Sequence, residues 1–286
     1  MAIFYNRASL SFGGNITNSN TTEAELLSGL ELTKSALSTY YTSGGSAVYL
    51  ITLSNMGSLP YSSLTINDDL GAYTIPESGT TVIPLTYTVG SIRYYLDGVL
   101  QPAPTVTAVG GLQISGIDLP AGSTASFIYE AVANEFAPGA EGSVITNTSS
   151  VDGGAGIGEL TATATLPILS EASLTIAKAV CPAVVTDNGQ LTYTIIIQNN
   201  GNVPANATDG IIVSDVFNPA LSGITVTLNG TPLTEGVGYT YNEATGEFAT
   251  TDGTVSVPSA TYSQDPVSGV VTTTPGVAVL TITGTV

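Results

Sequence analysis

Lysine occurs twice in this chain, at Lys34 and Lys178, and both fall at the same position of an internal repeat. With only 4 cationic residues against 22 acids, a cation kept twice at one place asks for a local reason. An acid stands at a matching middle-strand position in each copy, Asp68 (with Asp69 beside it) in the first and Asp215 in the second. An asparagine stands at a matching late-strand position, Asn147 in the first copy and Asn6 in a segment ahead of it. One reading is structural: each lysine forms a salt bridge with its aspartate or caps a sheet edge, as many such clusters do. The other is chemical. Burial lowers a lysine pKa and raises that of a carboxyl group, which leaves a neutral nucleophilic amine beside an acid able to shuttle protons.

The elements that must position these residues follow from the repeat. Leu32-Thr33-Lys34-Ser35-Ala36 matches the stretch Thr175 to Ala179 around its lysine. The run Val48 to Pro60 matches Tyr193 to Pro204, Leu64 to Leu70 matches Ile211 to Phe217, and Ser91 to Gly98 matches Gly223 to Gly230. Pro120 to Tyr129 matches Pro275 to Ile282. Within each copy, short alternating runs are divided by Gly, Pro or Asn, the pattern of a β-sandwich. No stretch shows helical periodicity with caps. The expected fold is all-β: two tandem immunoglobulin-like β-sandwich domains, 29–168 and 169–286, preceded by an N-terminal donor β-hairpin at 1–28. Pro167 to Glu171 reads as a short linker, and Gly236 to Asp252 as an extra hairpin.

The two ends are out of register. Asn6 to Gly14 reads like Asn147 to Gly154, within a residue or two, while the second copy stops at Val286 on the strand before that segment. The expectation is a surplus hairpin, roughly Ile3 to Leu27, and a deficit equivalent to Ser143–Leu166. A sheet short of strands exposes backbone donors and acceptors that a partner must satisfy. Ser28-Gly29 leaves little tether for the hairpin to reach the second copy of its own chain, so the expected partner is another copy, head to tail. Such a contact does not close on itself and propagates into a fibre. Ile3, Tyr5, Leu10 and Phe12 on the donor side, with Val279 and Ile282 on the acceptor side, are the expected polymerisation interface.

Two resemblances add to this. A first-strand lysine, a last-strand asparagine and a central acid resemble the constellation of intramolecular isopeptide bonds in bacterial pilin and adhesin domains. That resemblance implies attack of the lysine on the asparagine with loss of ammonia, giving Lys34–Asn147 within copy one and Lys178–Asn6 between chains. The lysine strand, the run LTYTIIIQNNGNVP and the run IIVSDVF resemble the DUF11-type repeat, a conserved immunoglobulin-like module of bacterial surface proteins. This covers nearly the whole chain, with the Asn-x-Gly turn as its most specific part. It implies a structural, surface-exposed role and no enzymatic activity on a substrate.

Composition narrows the alternatives. Charged residues are 9% of the chain and the formal net charge is −18, a field that repels nucleic acid and anionic membrane. No apolar run reaches transmembrane length, and Met1 to Arg7 lacks the pattern of a secretory signal peptide. The route outward is then a mature terminus or non-classical release, for example from a lysing mother cell onto a spore. There is no histidine, no nucleophile elbow, no phosphate loop and no metal-ligand spacing, so neither a cofactor nor a metal is expected. Cys181 stands alone, which excludes an intrachain disulfide and reads as a strand-end thiol. Five sequons, at Asn15, Asn20, Asn147, Asn206 and Asn229, fit chance in a chain rich in Asn and Thr. The leading expectation is an extracellular filament subunit on a bacterial cell or spore surface, with itself as partner. The runner-up is an adhesin or stalk module engaging glycan or matrix, and an anchor protein at the fibre base is left open.

Overall fold

The computed structural model describes residues 2–26, 29–152 and 160–286. Leu27, Ser28 and the Gly153-Gly154 turn read from the sequence lie outside the described residues. Backbone contacts divide the chain into two compact units. The first comprises Met1–Pro138, Val144–Ile168 and Pro266–Val270, and the second Gly139–Ser143, Leu169–Asp265 and Val271–Val286.

The N-terminal segment is a long hairpin. Strands β1 (Ala2–Asn6) and β4 (Thr22–Leu26) pair, as do β2 (Ser9–Phe12) and β3 (Asn15–Asn18), around a turn at Gly13 and Gly14. Both glycines have positive φ, the conformation that favours glycine in a tight turn. Each strand pair forms a two-stranded sheet of its own, and every side chain described on β2 and β3 is exposed. Such a ribbon has no hydrophobic face covered and is marginal by itself.

In the first unit, strands follow in the order β5 (Leu30–Ala36), β6 (Ser46–Asn55), β7 (Tyr61–Asp68), β8 (Tyr73–Thr74), β9 (Thr81–Val82), β10 (Leu85–Tyr87), β11 (Arg93–Leu96), β12 (Val99–Leu100), β13 (Thr105–Thr107), β14 (Leu112–Leu119), β15 (Thr124–Ala133), β16 (Val144–Asp152) and β17 (Leu160–Pro167). Two sheets make the sandwich, one ordered β12-β11-β15-β6-β5 and the other β13-β14-β7-β16-β17. Strict alternation in β6 and β15 sends Tyr49, Ile51, Leu53, Phe127 and Tyr129 into the core, where each is almost wholly buried. On the opposite sheet Ile66, Ile114, Ile145 and Val151 face them. The β16–β17 hairpin closes one side of the sandwich: β16 pairs with β7, and β17 packs beside β5.

The second unit repeats the first sheet and only part of the second. Its strands are β18 (Leu174–Cys181), β19 (Gln190–Asn199), β20 (Ser214–Val216), β21 (Ser222–Leu228), β22 (Thr231–Pro232), β23 (Tyr239–Asn242), β24 (Glu247–Thr250), β25 (Thr261–Gln264), β26 (Val271–Thr274) and β27 (Gly276–Thr285). The order β18-β19-β27-β21-β22 copies the five-strand path of the first sheet of unit 1, which has in addition β10 paired to β15. The facing sheet is three-stranded, β20-β24-β23. Strands β23 and β24, expected as an extra hairpin, hold the places of β13 and β14 and are a regular part of the fold. No described residue of this unit holds the place of β16 and β17, so β20 pairs with β24 alone.

The Asn-x-Gly turn has a plain physical reason in both units. Asn55 and Asn199 are buried at the ends of β6 and β19, and each side-chain oxygen accepts the amide of the glycine two residues on. Asn55 Nδ2 donates to the carbonyls of Leu59 and Pro120, and Asn199 Nδ2 to that of Val203. A side chain at Gly201 would stand 2.1 Å from the Glu171 carbonyl oxygen, which excludes any other residue.

Candidate functional site

Strand register brings Lys34, Asp68 and Asn147 into one buried cluster in unit 1. Lys34 points inward from β5, Asp68 from the end of β7, and Asn147 and Ser149 from β16. Lys34 Nζ lies 2.7 Å from Asp68 Oδ2, and both side chains are 0% exposed. The same oxygen accepts the Tyr129 hydroxyl at 2.7 Å and the Ser149 hydroxyl at 2.9 Å, while Asp68 Oδ1 accepts the Leu70 amide at 3.0 Å. Asn147 Nδ2 in turn donates to the Tyr129 hydroxyl oxygen at 2.9 Å. Asp69 is turned elsewhere: its carboxylate accepts the amides of Gly71 and Thr148 and pins β16 to β7.

The electrostatics follow from burial. Desolvation holds the Lys34 pKa below its ordinary 10.5, and Asp68 only partly opposes this. Burial likewise pushes the Tyr49 and Tyr129 hydroxyls up, so both stay protonated at neutral pH. Their rings stack with centroids 5.5 Å apart, and Lys34 Nζ sits 5.4 Å from the Tyr49 centroid. Asn147 Oδ1 and the Tyr49 hydroxyl are buried without a hydrogen-bond partner. A buried carboxamide oxygen left bare is costly, and such groups mark sites held for a purpose other than stability.

Unit 2 carries the same pair without its cover. Lys34 is opposite Ile51 and Lys178 opposite Ile195 in identical registers, so β5 and β18 compare residue by residue. Leu30 and Leu32 are 4% and 8% exposed, whereas Leu174 and Ile176 are 40% and 63% exposed. Lys178 is ion-paired to Asp215, with side chains 38% and 17% exposed. Its ammonium lies 4.4 Å from the Tyr193 ring centroid and 5.1 Å from that of Phe217.

The remaining expected residues fall as follows. Asn6 is exposed on β1, paired with Thr22, as Asn147 on β16 is paired with Ala164. Tyr5, Leu10 and Phe12 are exposed, and Ile3 pairs with Glu25. Tyr5 adjoins Asn6 in one strand, so the two side chains leave opposite faces, and a face that presents Asn6 turns Tyr5 away. The acceptor position expected at Val279 and Ile282 is displaced. Their strand, β27, is central, paired with β19 on one side and β21 on the other, and Ile282 is already buried in the core of unit 2. A strand bonded on both sides has no free ladder to offer. Among the described residues the edge strands of these two sheets are β18, β22, β20 and β23, and β18 and β20 are the two that carry the Lys178–Asp215 pair. Cys181 ends β18 and is exposed.

Sequence reasoning missed Tyr129, Ser149 and Tyr49. Ser149 was reachable, because it lies two residues beyond Asn147 and must share its face. Tyr129 was passed over because the match of Pro120–Tyr129 to Pro275–Ile282 ends on a tyrosine in one copy and an isoleucine in the other, so no shared polar residue marked it. The register places Tyr129 opposite Tyr49 and Ile282 opposite Tyr193, so Ile282, not a tyrosine, is its counterpart in unit 2.

No family model matches the chain, and no curated protein matches it. Among solved structures it is similar to the major pilin subunit of Bacillus cereus, at 11% identity over 94% of this chain and 70% of that one, with a TM-score of 0.40. It is also similar to the pilus backbone of Streptococcus pneumoniae, at 12% identity over 86% and 56%, TM-score 0.33. The collagen-binding domain of a Staphylococcus aureus adhesin is similar at 11% identity over 49% and 99%, TM-score 0.30. Likeness at this level assigns no activity and no partner.

Proposed function

We propose that this chain is a structural filament subunit of a bacterial cell or spore surface, and that the N-terminal hairpin of one copy fills the open side of unit 2 in the next. The observation that carries the reading is the contrast between β5 and β18. One strand is covered by the β16–β17 hairpin; the other has the same sequence pattern, the same register and no cover. The occupant is a second copy because the chain itself holds a spare hairpin of matching form. Along β16, Asn147, Ser149 and Val151 face inward; along the N-terminal hairpin, Asn6, Ala8 and Leu10 keep the same spacing, with Phe12 beyond. Docking beside β20 would satisfy its free backbone groups and cover Leu174 and Ile176, which is strand addition to an open edge.

Within unit 1 the buried lysine, aspartate and asparagine support an amide crosslink. Lys34 passes a proton to Asp68 and attacks Asn147 Cγ; a C–N bond forms, the Cγ–Nδ2 bond breaks, and the nitrogen leaves as ammonium, carrying both protons that Lys34 gives up. No oxidant or cofactor enters the balance. The docked Asn6 would meet Lys178 and Asp215 in the corresponding way and lock the joint.

Negative-stain microscopy of the purified protein tests the assembly. Long regular fibres are expected from the full chain and none from a variant lacking residues 1–27, which should remain a folded monomer. Fibres from that deletion variant would overturn the donor-hairpin reading. Intact mass tests the crosslinks: a monomer mass without loss of ammonia rules out Lys34–Asn147, and fibres that dissolve to monomers in hot detergent rule out Lys178–Asn6.

A further inference from the structure

The Tyr129 hydroxyl occupies an unusual place in the unit 1 cluster. It bridges the two groups that must exchange a proton for ammonia to leave, with Asp68 Oδ2 at 2.7 Å on one side and Asn147 Nδ2 at 2.9 Å on the other. No other hydroxyl in the cluster does this. Ser149 reaches Asp68 Oδ2 without a bond to Asn147, and the Tyr49 hydroxyl has no hydrogen-bond partner.

We propose that Tyr129 is a catalytic residue of the Lys34–Asn147 crosslink, carrying the proton from Asp68 to the departing Asn147 nitrogen. The inference rests on the crosslink reading given above. Before reaction, Asn147 Nδ2 donates to the tyrosine oxygen, and the tyrosine donates to the carboxylate. Lys34 gives a proton to Asp68 and then its lone pair to Asn147 Cγ. In the tetrahedral intermediate Nδ2 has become an amine with a free lone pair, so the direction of the hydrogen bond reverses. Tyr129 gives its proton to Nδ2 and takes the one held on Asp68. Asp68, now a carboxylate again, takes the second proton from the new amide nitrogen. The Cγ–Nδ2 bond breaks, and that proton leaves with the ammonia as ammonium, so both Tyr129 and Asp68 end as they began. The buried tyrosine suits this role because it is held neutral, with its ring fixed by stacking on Tyr49.

The counterpart position sharpens the point. Unit 2 has Ile282 where unit 1 has Tyr129, and the docking hairpin offers Ala8 where β16 offers Ser149. The lysine–aspartate pair of unit 2 therefore lacks the bridging hydroxyl, and its crosslink would form more slowly than that of unit 1.

Cell-free synthesis of the full chain, with intact mass followed over time at several pH values, tests the role. Wild-type chain is expected to lose one ammonia, and Y129F to lose it at least about 100-fold more slowly, the usual scale for removing a positioned general acid. S149A, which deletes a donor to the same carboxylate but no contact to Asn147, is expected to react within a few-fold of wild type. Equal rates for Y129F and wild type overturn the Tyr129 role and leave the crosslink standing. So does an S149A rate as low as that of Y129F, since the defect would then lie in the packing of Asp68. A wild-type mass that never falls overturns the crosslink itself. Should Y129F fail to fold by circular dichroism, a fluorinated tyrosine at position 129 keeps the ring and the hydroxyl. Its more acidic proton is expected to shift the pH profile of ammonia loss, and an unshifted profile overturns the proposal.

Discussion

Strands β5 and β18 make the same ladder to their neighbours, yet one lies inside a sandwich and the other outside. The difference is not in their own residues: apolar side chains alternate around a lysine in both. It lies in the strands beside them. Where β16 and β17 are present, Leu32, Lys34 and Asp68 are enclosed; where no counterpart stands, Ile176, Lys178 and Asp215 meet solvent. Burial of the lysine in unit 1 is thus conferred by the β16–β17 hairpin, which has no counterpart among the described residues of unit 2. Large aliphatic side chains contribute roughly 1.5–3 kcal/mol each when fully buried. On the Lys178 face of β18, Leu174, Ile176 and Val180 leave that contribution unrealised in unit 2.

The sharpest way to break the comparison is to remove the acid from each cluster. D68A, made in an N147A background so that no crosslink intervenes, strands a buried ammonium and is expected to cost unit 1 about 3–5 kcal/mol. D215A removes a partly solvated partner, and the expected loss in the free subunit is ~1 kcal/mol or less. Because two units need not unfold together, hydrogen exchange of β6 and β19 amides is the appropriate measurement. Equal losses would mean that the second site is as enclosed as the first.

The next effect concerns the apolar faces. L32A is expected to destabilise unit 1 by roughly 2–5 kcal/mol, the cost of deleting a buried leucine side chain. I176A, at the equivalent position, should change the free subunit by about 0.5 kcal/mol or less, as an exposed substitution does. The same I176A should weaken association of subunits, read by the protein concentration at which fibres form. An I176A loss in the monomer as large as that of L32A would show that β18 is covered without a partner.

Much of this contrast was legible in the sequence. Repeat matching located both lysines and their acids, because Asp68 and Asp215 sit in runs whose spacing the two copies share. It also located the N-terminal segment as a hairpin. What it could not resolve was register across the sheets. Tyr129 lies in a strand of nearly uniform alternation, where a shift of two residues preserves every inward and outward face, so the sequence does not tell which inward side chain meets Asp68. The choice between Asp68 and Asp69 was hidden for a related reason: neighbours in a strand face opposite ways, and only the pairing of β7 with β16 decides which one meets Lys34. The acceptor edge was misplaced at β27 because sequence order does not reveal that the last strand lies in the middle of its sheet.

The smallest predicted effect is a pH dependence of unit 1, and its sign follows from two opposed shifts. Lys34 has its folded pKa held below 10.5, chiefly by desolvation. Between that lowered value and 10.5 the unfolded chain binds more protons than the folded one, so stability rises with pH, by at most about 1.4 kcal/mol per pH unit. The buried Tyr49 and Tyr129 are shifted the other way, above their ordinary 10.0. Above 10 their unfolded forms release protons that the folded forms keep, and stability falls again. In the N147A background, hydrogen exchange of β6 amides should therefore show stability climbing with pH below 10.5 and turning over near pH 10 as the tyrosines begin to titrate. A further K34M substitution should abolish the climb and spare the fall. If the climb persists without Lys34, the lysine is not the group that burial has perturbed, and the enclosure of β5 would have to be read from packing alone.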